Sequence, residues 1–136
     1  MNSTSRSYLI INLIFSGIVV VILGYSALFS PEGDLYPVKC VHEIISGQPC
    51  PSCGLSHSFS SIVRGNLDKA MEWNPYGIRV FIFFIFQLVL RTSVSVSIIK
   101  HGEHTASLVR FDIIVSIAAF LVAFSQFIKY FLGLIF

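Results

Sequence analysis

The sequence predicts an all-α integral membrane protein with three crossings, and three observations predict it. Only 12% of the 136 residues are charged while 54% are hydrophobic, against about a quarter charged in an average soluble domain. The mean hydropathy is +0.79. The apolar residues fall into three long blocks, with a polar segment rich in Gly, Pro and Cys after the first. So few charges cannot cover a water-facing surface. The net charge of +2, without any basic run, gives no footing for nucleic acid.

The first block, residues 8–29, carries no charge and matches the roughly 20 helical residues that cross a bilayer core of about 30 Å. It is long for the apolar region of a signal peptide. "YSALFS" is a poor small-residue cleavage site and only Arg6 precedes the block, so an uncleaved helix is expected. The second block, residues 75–99, opens on Asn74-Pro75, an N-cap followed by a residue at home in the first helical position. "SVSVSI" alternates as a strand would. A lone strand beside lipid leaves its backbone unpaired, so a continuing helix is expected. Arg79 and Arg91 are placed to reach the two interfaces. The third block, residues 108–133, has Asp112 near its start and Lys129-Tyr130 as an interfacial anchor. "KHGEHTAS" is the short turn of a helical hairpin. Its His101, Glu103 and His104 read as a solvated turn rather than a metal site. Gln87, Ser125 and Gln126 are the intramembrane polar groups and suit interhelical hydrogen bonds. Phe81, Phe83, Phe84 and Phe86 read as lipid-facing and packing surface.

Three crossings put the N-terminus opposite the first loop. Basic residues divide almost evenly between the two sides. The long loop, however, carries Glu32, Asp34, Glu43, Asp68 and Glu72, which leaves the surplus positive charge on the short N-terminal side. The expected orientation is N-terminus inside and loop outside.

The loop, residues 31–74, is expected to be structured. A helix should begin near Ser52 or Cys53 and end at Gly65, a natural residue just past a helix end. Leu55, Phe59, Ile62 and Val63 would form its apolar stripe, with Ser58, Ser61 and Arg64 opposite. Asn66 can cap a second short helix, "LDKAMEW", with Asp68 in its first turn. Two amphipathic helices lying in the headgroup layer are the expected picture, with Trp73 and Tyr76 at the interface.

"GQPCPSCGLSHSF" concentrates potential ligand atoms in this loop. Four chemistries fit. Cys40, Cys50, Cys53 and His57 could supply a Cys₃His zinc site, zinc being the one cofactor this donor set suggests. Cys40 could join Cys50 or Cys53 in a disulfide that ties the loop. Cys50 and Cys53, spaced Cys-x-x-Cys, could work as a redox dithiol. All three could be buried thiols that only pack. No Gly-rich phosphate loop, Ser/His/Asp set or paired carboxylates are arranged for catalysis, so the enzyme question stays open and leans towards no.

The segment from Cys40 to Gly77 resembles the bacterial membrane proteins grouped as domain of unknown function 2752. The resemblance rests on Cys40, Gly47, Cys50, Pro51, Cys53, Gly54, Gly65, Ala70, Asn74 and Pro75. That family usually shows Thr-Arg where this chain has Ser56-His57, which argues against His57 as a family-wide ligand. The resemblance implies a small helical protein of the bacterial cytoplasmic membrane with a cysteine-bearing reentrant or interfacial loop. It supplies no reaction. The reading of the whole sequence is a non-enzymatic accessory or interaction subunit, a single membrane domain whose cysteine-stabilised loop meets a membrane-protein partner or a second copy. Its alternatives are a thiol–disulfide redox protein and a metal-binding protein.

Overall fold

The computed structural model describes residues 3–30, 51–101 and 105–135. All regular structure among them is helical: α1 (Ser3–Leu28), α2 (Leu55–Val63), α3 (Leu67–Trp73), α4 (Gly77–His101), α5 (Thr105–Ala123) and α6 (Ser125–Ile135). Three of these, α1, α4 and α5, are long and apolar enough to cross a membrane. Leu13, Ile114 and Val122 are among many large apolar side chains left exposed along them. That is affordable only where lipid is the solvent.

Helix α4 is the central post. It packs against α1 and α5, and also against the short helices α2 and α3, which sit beside its N-terminal end. Val80 is fully buried there, and Phe59 of α2 meets Phe81 and Phe84 of α4 edge-on at 5.4 and 5.8 Å between ring centres. Further along, Phe83 of α4 meets Phe120 and Phe124 of the last helices at 6.2 and 5.4 Å. These edge-to-face contacts suit aromatic quadrupoles. Phe86, at 42% exposure, stays on the outside as the sequence suggested.

The third apolar block is not one helix to its end. It breaks at Phe124 and resumes as α6. The Ser125 hydroxyl donates back to the Val122 carbonyl at 3.1 Å, the kind of local side-chain bond that bends helices. The backbone bonds Phe124 N to Phe120 O and Ile128 N to Phe124 O persist at 2.9 and 3.0 Å, so the break is a kink rather than a turn.

The orientation of α2 reverses the amphipathic expectation. Its serine side is the buried one: Ser58, Ser60 and Ser61 are buried, whereas Val63 is 43% exposed. Of the expected apolar stripe only Phe59 faces the core. Small hydroxylated residues let helices approach closely where hydrophobicity gives no reason to turn apolar groups inward. The reversal is therefore the pattern of a helix immersed at membrane depth, not of one lying on the surface.

Candidate functional site

Two polar sites stand out, one in the lid formed by α2 and α3, the other between the three long helices.

The lid is closed by Asn74. Its backbone N–H ends α3 by donating to the Ala70 carbonyl at 3.1 Å. Its side-chain Nδ2 donates to the carbonyls of Pro51 and Cys53 at 2.7 and 2.9 Å. Its Oδ1 accepts from the Tyr76 N–H at 2.9 Å, and its carbonyl accepts from the Gly77 N–H at 3.0 Å. The expected N-cap of the second span is thus present, since Oδ1 takes an otherwise orphan donor before α4. The sequence gave no sign that the same amide, 3% exposed, would also hold the Pro-Ser-Cys turn.

Glycines make the close fit possible. Gly54 adopts φ +74, a left-handed conformation that suits Gly, and a Cβ there would lie 2.4 Å from the Trp73 carbonyl oxygen. Gly77 has room for no side chain either: a Cβ would lie 1.9 Å from Ser58 Oγ. Gly65, at φ +78, donates to the Ile62 carbonyl and closes α2 as anticipated. Ala70 is fully buried between the helices. Asn66 occupies the N-cap position of α3 without a side-chain capping bond.

The lid is also joined to α1. Arg64 donates through Nη1 to the Ser26 carbonyl at 3.3 Å and through Nη2 to the Ala27 carbonyl at 3.2 Å. The same Nη1 reaches the Ser60 carbonyl at 2.9 Å and Oγ at 2.5 Å, and Ser60 Oγ donates to the Phe29 carbonyl. Carbonyls that α1 leaves unsatisfied at its C-terminal end therefore find donors on α2, and a cation sits where the helix dipole favours one.

Of the cysteine candidates, Cys40 and Cys50 lie outside the described residues, as does Gly47. Cys53 is half-buried at the end of the turn before α2. His57 stacks on Trp73 with ring centres 4.3 Å apart. No group of three or more potential metal-binding side chains occurs among the described residues.

The second site was not foreseen as a unit. Arg91 does not reach for the far interface. Its Nη1 lies 3.6 Å from Asp112 Oδ2 and donates to Asn12 Oδ1 at 2.7 Å. The Tyr8 hydroxyl donates to Asp112 Oδ2 at 2.6 Å, and Asn12 Nδ2 donates to Ser95 Oγ at 3.1 Å. Ser116 lies between Gln87 Oε1 at 3.2 Å and Asp112 Oδ1 at 3.4 Å. The Arg91 guanidinium also sits 4.9 Å above the Phe15 ring, a favourable place for a cation. Asp112 and Asn12 are 2% and 1% exposed. Charges inside apolar helices are costly and survive when paired. Here the pair neutralises itself and hydrogen-bonds to α1, α4 and α5 at once.

A family model described as "Protein of unknown function (DUF2752)" matches residues 40–88. No curated protein and no solved structure matches the chain. The matched stretch takes in the lid and the first half of α4, and stops short of Arg91 and Asp112. Over residues 40–88, then, this three-span chain resembles the DUF2752 membrane-protein family.

Proposed function

We propose that the protein is a non-enzymatic membrane subunit that presents its cysteine-bearing lid to a membrane-protein partner or to a second copy of itself. The observation that carries this reading is the Asn74 clamp. One buried amide fixes the Pro51 and Cys53 carbonyls, so the segment is held in one shape, and a preorganised surface loses less entropy on binding. Val63, Leu67, Met71 and Trp73, on the outer side of the same lid, are 43–50% exposed. They offer a partner an apolar surface around the fixed turn. The membrane is the bacterial cytoplasmic one in this reading, with the lid on its outer side.

The test is site-specific photocrosslinking from Met71 in intact membranes. A single discrete adduct that fades when Asn74→Ala loosens the turn is the expected result. A chain that gives no adduct and runs as a monomer in mild detergent would overturn the proposal. Labelling of Cys53 by a membrane-impermeant thiol reagent in intact cells checks the orientation, and protection until the membrane is opened reverses it.

The position of Cys53 favours a second reading. It ends the clamped turn just before α2, and a helix N-terminus favours a thiolate. A Cys50/Cys53 redox pair with Cys40 as partner thiol would be trapped as a mixed disulfide by Cys50→Ser. A zinc site using Cys40, Cys50, Cys53 and His57 would show as stoichiometric metal in elemental analysis.

A further inference from the structure

Between α1, α4 and α5 lies a cavity of about 410 Å³, within the usual range of about 300–1,000 Å³ for small-molecule sites. Phe15, Phe84, Phe120 and Ile117 supply apolar wall, and Gln87 and Arg91 supply the polar end. Gln87 is 5% exposed and its Nε2 has no hydrogen-bond partner. A buried amide donor left unpaired is costly, most of all where no water can reach it. Gln87 lies ten residues into α4, roughly 15 Å from its start at 1.5 Å per residue. That places it near the middle of a bilayer core of about 30 Å.

We propose that this cavity binds a neutral, ring-bearing lipid-soluble molecule whose carbonyl oxygen accepts from Gln87, the chemistry of a membrane quinone. Three features select that class. The unsatisfied group is a donor, so the ligand brings an acceptor. The acceptor must sit at mid-depth, which phospholipid headgroups do not reach and which acyl tails cannot supply. Arg91 is already neutralised by Asp112, so an anion would compete with a carboxylate in place, whereas a neutral carbonyl does not. The phenylalanine walls offer a flat ring offset-stacked or edge-on contact.

The experiment titrates a short-tailed ubiquinone analogue into the intact chain in lipid nanodiscs, measured against empty discs. Two variants are carried alongside, with helical content and elution checked. Gln87→Leu removes the unpaired amide and is expected to raise Kd about tenfold, the loss of one hydrogen bond. Ile117→Trp fills the cavity from its rim and is expected to abolish saturable binding. A long-chain alkane should fail to compete. The proposal is overturned if the folded wild-type chain shows no saturable binding, if Gln87→Leu binds as well as wild type, or if the alkane competes equally. The last result would make the cavity a seat for acyl chains only. Should Ile117→Trp fail to fold, the Gln87→Leu comparison decides alone.

Discussion

The lid and the polar core of the three-helix bundle solve the same problem, polar groups at membrane depth, by opposite means. The lid uses short-range bonds: Asn74 reaches back 23 residues to Pro51 and 21 to Cys53, and serines and glycines bring backbones together. The bundle uses side chains from distant stretches, with Tyr8 and Asp112 separated by 104 positions and Asn12 and Arg91 by 79. One region is built from backbone proximity, the other from a balanced charge. They should therefore fail differently when disturbed.

The largest expected effect is in the bundle. Asp112→Ala leaves the Arg91 guanidinium inside the apolar helices with Asn12 as its remaining bonded partner across the bundle. Breaking a buried pair in this one-sided way costs about 3–5 kcal/mol, which reversible unfolding in mixed micelles would register. Replacing both, as Arg91→Met with Asp112→Leu, removes the stranded charge and should recover most of the loss. A double variant no better than Asp112→Ala would mean that the pair holds the fold through its hydrogen bonds to Tyr8 and Asn12 rather than through its charge.

The second effect tests the lid's close approach. Gly77→Ala places a methyl against Ser58 Oγ and Cβ, at 1.9 and 2.6 Å from their present positions. Overpacking of this kind costs about 1–3 kcal/mol. Ser58→Gly in the same chain should return part of it, because both conflicting atoms go. Ser58→Ala alone should be neutral or slightly stabilising. Its hydroxyl is buried without a hydrogen-bond partner, so nothing is lost with it. A clear loss of stability from Ser58→Ala would show that the hydroxyl has a role that this packing does not explain.

The difference between the regions also explains what could be read from the sequence. The spans followed from hydropathy, because a bilayer accepts few other structures. The ends of α2 and α3 followed from Gly65 and the Asn74-Pro75 pair, whose meaning is local. The facing of α2 did not follow. The amphipathic rule assumes water on one side, and here lipid takes that place, so its serines turn inward. Arg91 was misplaced for a related reason. From sequence alone a long cation near a helix end is expected to reach outward, and only the fold shows Asp112 within reach. The polar residues were all visible one by one. What joins them is the register of α1 and α5 against α4, and no local pattern encodes that.

The smallest expected effect lies at the seam between the regions, where Arg64 of the lid satisfies the end of α1. Arg64 is exposed, so its charge is partly screened and much of its contribution is directional. Its two terminal nitrogens bond separate carbonyls, Ser26 and Ala27, a fork that an ammonium cannot copy. Arg64→Ala should lower stability by about 1 kcal/mol. It should also let the end of α1 fray, which hydrogen exchange of the α1 amides nearest Leu28 would detect. Arg64→Lys separates charge from geometry. If the dipole of α1 is what Arg64 answers, lysine restores most of the protection. If the fork matters, lysine behaves like alanine. Unchanged exchange in Arg64→Ala would remove the seam altogether, and the lid would then be held to the bundle through α4 alone, by Gly77, Ser58 and the buried ring of Phe59.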